Sequence, residues 1–530
     1  MLPRTVDAVV VGAGPNGLVA ATTLADAGWD VLVLEATDHV GGAVHSVSAD
    51  GWVSDRCSSC FPLAVASPVI RALDLESHGL QWANAPLPLA HPLGPDDDTG
   101  AVIDPDPERT AANLAEEHPA DGTAWLRLYE DYRWIREPFL SALLTSWPPV
   151  VPGARLARRL GSLGELARFA RFMSLPAHRM GQELFGGMRG RSLLAGNAMH
   201  ADTSLTGTVS GTMGWLLAML AQDVGFPFAE GGSGRLAEAM ASRARQAGAE
   251  LICGERVAAV EVSHGRASSV VTATGGRVVV RRAVLTDVSA PMLYDELLPP
   301  ATIPDKLRSD LTRYAWDLPT VKVNYRLSAP VPWTAKHAHS AGVVHLGGDA
   351  DSLVHTGADL DTGRVPAAPF LLVGQTSTAD PTRSPAGTEA LWAYSHLPRG
   401  IADDASAEQL AGRMDRVLDK HAPGFGALVL DREVQRPSDF TAGNASLGLG
   451  ALNGGTTQIF QQLIFRPTVG LGGPRTVVNG LYLGSAAIHP GGGVHGAPGW
   501  LAARAALRDN TSLGALTRHP KSALLARLYR

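Results

Sequence analysis

At 530 residues the chain is too long for one simple core, and its formal net charge of −6 offers no general basic field for nucleic acid. With 45% hydrophobic and 18% charged residues the composition is that of a globular protein, which excludes a disordered or low-complexity chain. Cys57, Cys60 and Cys253 are an odd count, far too few for a disulfide scaffold, and no run reaches the roughly 18 apolar residues of a membrane span. A reducing compartment, the cytoplasm, is the expected location, because the first predicted strand begins within the first ten residues and leaves no room for a signal peptide.

The first element is an apolar run, Val6-Asp7-Ala8-Val9-Val10-Val11, read as a strand that ends at Gly12. Gly12, Gly14 and Gly17 then form a G-x-G-x-x-G pattern that opens a helix predicted over 16–27, with Gly28 placed for a left-handed cap. A second strand, Val31-Leu32-Val33-Leu34, closes on Glu35. The physical reasons separate cleanly. Gly12 can take backbone angles closed to other residues, Gly14 lets the backbone approach a pyrophosphate, and Gly17 lets the helix pack on the strand. The diphosphate then lies on a helix N-terminus, where unpaired amides and the helix dipole favour an anion. Glu35, about 20 residues on, is placed to accept hydrogen bonds from ribose hydroxyls. Taken alone, this unit holds a dinucleotide, NAD or FAD.

Two short extended runs around a turn follow at 45–54, then a predicted helix over 66–80. The stretch 84–108, rich in Pro and Asp, reads as loop and edge strand. Helical periodicity dominates from about 109 to 224, notably over 123–143, 163–173 and 205–221. Gly231-Gly232-Ser233-Gly234 precedes a helix over 235–247, with Ser233 as its expected N-cap. Strands are expected at 249–253 and 256–263, and two more within 268–287. Strands at 321–325 and 370–373, a helix over 406–421, a strand around 480–484 and a helix over 496–508 complete the order, without internal repeats.

Three separated pieces point one way: the N-terminal fingerprint with its trailing Gly41-Gly42, the glycine turn at 231–234, and Leu481-Tyr482-Leu483-Gly484-Ser485 leading to His489-Pro490-Gly491-Gly492-Gly493-Val494-His495-Gly496. Together they resemble the FAD-dependent oxidoreductases of the phytoene desaturase and carotenoid isomerase type, nearly end to end. The resemblance implies an α/β fold with a Rossmann-type FAD-binding domain discontinuous in sequence, built from 1–75, 226–290 and 471–512. A mixed α+β substrate domain with a helical insertion is implied over 76–225 and 291–470, with a tail at 513–530. It further implies that Gly12, Gly14, Pro15, Asn16 and Gly17 hold the diphosphate, that Glu35 and Ala36 hold the adenosine ribose, and that Gly41, Gly42 and Ala43 flank the flavin chain. Val257 would meet the adenine through its backbone, and Gly484, Ser485, Gly493 and Val494 would lie toward the flavin. There the helix starting near Gly496 is placed to stabilise negative charge on the reduced ring. Two departures stand out: Ala43 replaces an arginine of many relatives, and Ser485 an aspartate of the wider superfamily.

The expected reaction is dehydrogenation of a largely apolar organic substrate by hydride transfer to flavin N5, with electrons passed to oxygen or a quinone, since no second nucleotide unit is present. A redox-neutral double-bond isomerase, a flavin amine oxidase and a non-enzymatic assembly partner are the alternatives. His489, His495 and His45 are the candidate acid–base residues, weighed against simple loop hydrogen bonding. Cys57-Ser58-Ser59-Cys60 has the spacing of a redox dithiol, but two ordinary loop cysteines are the favoured reading. The histidines show no metal-binding spacing. Basic and apolar positions alternate at helical spacing from Arg155 to Phe172, which suits either a peripheral membrane contact or a solvated helix face, and the tail 522–530 poses the same question along with docking on the fold or on a second subunit of a homodimer.

Overall fold

In the computed structural model, which describes residues 4–512 and 527–529, the strand Arg4–Val11 lies inside a seven-stranded sheet. It pairs in parallel with Val31–Leu34 on one side and with Arg277–Thr286 on the other, and Val31–Leu34 pairs in turn with Glu250–Ile252. The long strand Arg277–Thr286 changes partner halfway. Val278 and Val279 lie against antiparallel Arg266–Thr272, whereas Val284, Leu285 and Thr286 lie against parallel Leu481–Leu483. Val257–Ser263 adds the antiparallel edge. Segments from the start, middle and end of the chain thus build one sheet.

The apolar strands are buried on both faces, as parallel strands are when helices cover them. Helices Pro15–Asp26, Gly234–Gln246 and Ala497–Asp509 cover one face, through Leu18, Leu236 and Ala502 packed on Val10, Val33 and Leu285. Val9, Leu32 and Val284 face the opposite layer with Tyr294 and Leu307. The first and last of these helices touch where neither bears bulk: a Cβ on Gly499 would lie 1.9 Å from the Asn16 carbonyl oxygen.

A second seven-stranded sheet runs in the order Val429–Gln435, Thr320–Leu327, Glu389–His396, Leu371–Gln375, Ala341–Leu346, Leu87–His91, Ala101–Ile103. All its pairings are antiparallel except that of Ala341–Leu346 with Leu87–His91. Helices Pro119–Leu143, Met188–Ala198 and Ser210–Val224 pack on it, with Trp125, Trp215, Tyr132 and Phe139 in the shared core. The architecture is the α/β one expected, a Rossmann-type sheet beside a mixed sheet with a helical insertion.

Four local expectations are corrected. The helix expected over 66–80 is three short pieces, Pro62–Ala66, Pro68–Arg71 and Leu75–His78, because Pro68 has no N–H for the preceding turn and Asp74 adopts φ 52°. Within the stretch 84–108, Leu87–His91 is an interior strand of the second sheet and Ala101–Ile103 is its edge strand. The helix expected from 205 begins at Ser210. Ser233 does not cap its helix through its side chain; instead the Gly234 N–H donates to Ser46 Oγ at 2.9 Å and the Ser233 N–H to Asp55 Oδ1 at 2.8 Å. Of the C-terminal tail, Leu528 and Tyr529 pack on the core against Val478 and Leu471, while Leu524 and Leu525 lie outside the described residues.

Candidate active site

The glycine loop after Arg4–Val11 bends into the helix Pro15–Asp26 with Gly12 at φ 95°, a region that favours glycine. The close approaches are those the motif requires: a Cβ on Gly17 would lie 2.1 Å from the Gly12 carbonyl oxygen. Gly12, Gly14, Pro15 and Asn16 line a cavity of about 740 Å³, together with Glu35, Ala36, Gly42, Ala43, Val257, Ser485, Gly493 and Val494. Gly17, Gly41 and Gly484 do not line it. They are the packing glycines: Gly41 has φ 111° with a Cβ position 2.2 Å from the Val44 carbonyl oxygen, and the Cβ position of Gly484 lies 2.9 Å from Ala502 Cβ.

Whether FAD fits is tested by the backbone donors. Among the described residues, the N–H groups of Gly14, Asn16, Gly42 and Ala43 have no protein partner, and all four residues border the cavity. Orphan donors gathered at a helix N-terminus are the arrangement a diphosphate satisfies. Glu35, 8% exposed, is held by the Ala13 N–H at 2.7 Å on one oxygen and by the Thr37 N–H and hydroxyl at 2.9 Å on the other. The oxygen held by Ala13 keeps a lone pair for a ribose hydroxyl.

One residue of this cradle was not anticipated. Asp287, just past Arg277–Thr286, accepts the Gly17 N–H at 2.8 Å, and burial raises its carboxyl to about 7. Its signal was present in the sequence, an acid ending a buried strand as Glu35 does.

At the far end, Gly491, Gly493 and Gly496 adopt φ 104°, 123° and 71°, and Val494 adopts φ 56°. A β-branched residue there is strained, and such strain concentrates at functional turns. His489 and His495 both border the cavity. Burial lowers each to about 4, so both are neutral near pH 7. His495 Nδ1 accepts the Ala497 N–H at 3.2 Å, which caps the helix Ala497–Asp509, the loop-bonding role weighed for it. His45 lies outside the cavity lining and stacks on His39 with ring centroids 3.7 Å apart.

Cys57 and Cys60 border the cavity as free thiols, and burial pushes them up to about 11 and about 12. Protonated thiols are poor nucleophiles, which agrees with the loop-cysteine reading. Beneath them sits a buried charge cluster that the sequence reading missed: Asp55 paired with Arg383 at 2.8 Å, both 0% exposed in their side chains, and Lys322, which donates to the Asp55 carbonyl. Burial lowers Lys322 to about 8. These residues stand on three separate elements, so no local spacing joins them.

The remaining wall combines an apolar surface with polar side chains such as Thr203, Thr457 and Gln462 and the arginine Arg466. Leu143, Met213, Leu217 and Phe226 come from the helical layer, and Leu372, Tyr394 and His396 from the mixed sheet. Arg466, 0% exposed, donates to the carbonyls of Asn453, Thr456 and Ala486, which fixes the backbone of this wall. Glu35 and Asp287, both at the nucleotide end, are the carboxylates of the lining among the described residues.

The fold and cradle define an FAD-dependent oxidoreductase. Residues 116–507 match the family described as flavin containing amine oxidoreductase, and the chain belongs to it; residues 10–73 match the NAD(P)-binding Rossmann-like domain. The chain is 27% identical to the pyridine nucleotide-disulfide oxidoreductase domain-containing protein 2 of Rattus norvegicus, over 95% of this chain and 93% of that protein. It is 27% identical to a phytoene dehydrogenase of Streptomyces griseus, covering 83% and 84% of the two chains. A solved putrescine oxidase bound to putrescine shares the fold at TM-score 0.58 and 18% identity, covering 95% of this chain and 99% of its own.

Proposed function

We propose that the protein dehydrogenates a largely apolar organic substrate, with FAD as the immediate oxidant and oxygen or a quinone as the final acceptor. The observation that carries this reading is the continuity of one cavity, from the orphan amides at Gly14 and Asn16 to the apolar wall of Leu217, Phe226 and Leu372. When bound, FAD supplies a two-electron acceptor at its ring. The chain's own residues bind and orient: Gly14, Asn16 and Gly42 would hold the diphosphate, Glu35 would hold the ribose, and the turn at Gly493–Val494 would lie toward the flavin. The apolar wall excludes water from the reacting face. Burial keeps His200, His396, His489 and His495 of the cavity lining neutral near pH 7, so at these positions the protein chiefly positions the substrate.

Anaerobic mixing with a matched set of apolar alkenes, ketones and amines tests the reading. Bleaching of the flavin by a non-amine supports dehydrogenation. Bleaching by amines alone, with hydrogen peroxide release in air, supports the amine oxidase reading favoured by the putrescine oxidase fold. Double-bond migration only after prior reduction of the flavin would indicate an isomerase. Protein that neither purifies with flavin nor takes it up would sink all three and leave an assembly role.

The same reading places the enzyme in the cytoplasm, as a homodimer, with a face turned to anionic membranes that hold apolar substrate. Helices Val150–Leu160 and Leu163–Ser174 support that face. Leu156, Leu160, Phe169 and Phe172 pack inward on the core, while Val150, Val151 and Leu163 stay exposed among Arg155, Arg158, Arg159 and Arg168.

A further inference from the structure

Two buried histidines, His91 and His345, and one half-buried histidine, His200, meet at the cavity wall. His91 ends the strand Leu87–His91, His345 lies on Ala341–Leu346, and His200 follows the helix Met188–Ala198 and borders the cavity. His200 Nε2 and His345 Nε2 are 2.8 Å apart, so one donates and the other accepts. Which one donates follows from the outer members. His91 Nε2 lies 2.9 Å from the Gly348 carbonyl oxygen, so it carries the proton and His91 Nδ1 is a bare lone pair. His345 Nδ1 has no hydrogen-bond partner and faces Gly196, whose Cβ position would be 2.5 Å from it and 2.7 Å from His91 Nδ1. A buried N–H without an acceptor is among the costliest arrangements in a folded protein, whereas a lone pair beside a Cα–H costs less. The proton of His345 is therefore on Nε2, and it is donated to His200.

His200 Nε2 is then an acceptor, and the proton of its neutral ring is on Nδ1. Burial holds His200 at about 3 and His345 well below its ordinary value, so neither ring charges in the working range. The ring is held in place by stacking on Phe226, with centroids 5.9 Å apart and planes 13° from parallel. Among the described residues, the His200 ring bonds through Nε2 to His345, which leaves Nδ1 without a protein partner.

We propose that His200 Nδ1–H is a fixed, neutral donor that binds an acceptor oxygen on the substrate, so that the apolar substrate carries a carbonyl group. This rests on the dehydrogenase reading above and narrows its substrate class. A cationic amine fits poorly, because Glu35 and Asp287 at the nucleotide end are the carboxylates of the lining. A plain hydrocarbon leaves the donor unmet in an apolar chamber. His345 and His91 act as positioning residues, since they set the tautomer and touch no substrate.

The test uses the FAD-loaded protein and three probes on one skeleton: 4-phenylcyclohexanone, phenylcyclohexane and 4-phenylcyclohexylamine. Flavin content is measured first, because absence of bound flavin counts against the dehydrogenase reading rather than against the donor. The ketone is expected to bind about tenfold more tightly than the hydrocarbon, the size of one hydrogen bond in such a site. His200→Phe should abolish that preference, whereas His200→Asn, whose amide nitrogen stands near the Nδ1 position, should keep most of it. The ketone C=O stretch should fall to lower wavenumber in the wild type and H200N, and not in H200F. Nitrogen NMR of the wild-type protein should show His200 protonated on Nδ1 from pH 5 to 8, which keeps the proposal testable if H200F fails to fold. A ketone bound no better than the hydrocarbon or weaker than the amine, a preference that survives in H200F, or a proton on His200 Nε2 would each overturn it.

Discussion

Gly14 and Asp287 show how much one atom decides in the nucleotide cradle. A Cβ on Gly14 would lie 2.6 Å from Asp287 Oδ2, closer than van der Waals contact permits. Gly14→Val should therefore push the carboxyl or the loop aside and weaken FAD binding by at least about tenfold; titration of apoprotein with FAD reads this directly, and unchanged affinity would contradict the cradle. Asp287 also makes a pH argument. Its carboxyl is raised from an ordinary 3.8 to about 7 by burial, so folding favours the protonated form. That contribution is complete below pH 3.8 and is lost as pH rises through about 7. Asp287→Asn keeps an acceptor for the Gly17 N–H and cannot ionise. Between pH 5 and pH 8 the Tm of wild-type apoprotein should fall about 2 °C or more further than that of D287N. Parallel curves would show that Asp287 does not titrate in this window.

Among the elements, the paired helices Val150–Leu160 and Leu163–Ser174 are distinct, since neither contains a buried residue. Their inward positions reach the core only partly, and their outward apolar residues are 72%, 60% and 85% exposed at Val150, Val151 and Leu163. Serine at those three positions should leave the Tm within about 1 °C, as surface changes usually do. Sedimentation with vesicles containing phosphatidylserine should meanwhile drop severalfold. Retained sedimentation would assign the face to solvent. The helix Ala497–Asp509 serves a different end, because its first amide is capped by His495 beside the strained Val494 turn. Cofactor-end geometry and helix capping are thus supplied by the same few residues.

At the scale of the whole molecule, the nucleotide-binding sheet closes only when Leu481–Leu483 docks on Val284–Thr286. The final helix then crosses the first at Gly499, with no room for a side chain against Asn16. Gly499→Val should separate the two helices and disturb the amide of Asn16, which borders the cavity. Loss of Tm by several degrees together with loss of bound flavin is the expected result, since overpacking costs about 1–3 kcal/mol. A variant with normal Tm and full flavin content would show that the crossing tolerates bulk.

The first strand, the glycine loop, its helix and Glu35 were legible in the sequence because the signals that mark them are local: a strand, a turn that needs positive φ at Gly12, and a helix N-terminus follow one another along the chain. A Rossmann-type domain beside a mixed α+β domain was legible through the family resemblance. The hidden residues share a different property. Asp287 meets Gly17 across 270 positions, Lys322 meets Asp55 across 267, and His200 meets His345 across 145. Such pairs follow no spacing rule, since burial and hydrogen bonding depend on which strands become neighbours. The sequence by itself determined that the chain binds a dinucleotide and that its far end returns to the same sheet. Only the tertiary structure decided which buried acid and which histidine border the cavity and which lysine joins the charge cluster beneath it, because a low-dielectric interior gives those groups their protonation states, and that interior exists only after the distant segments have packed.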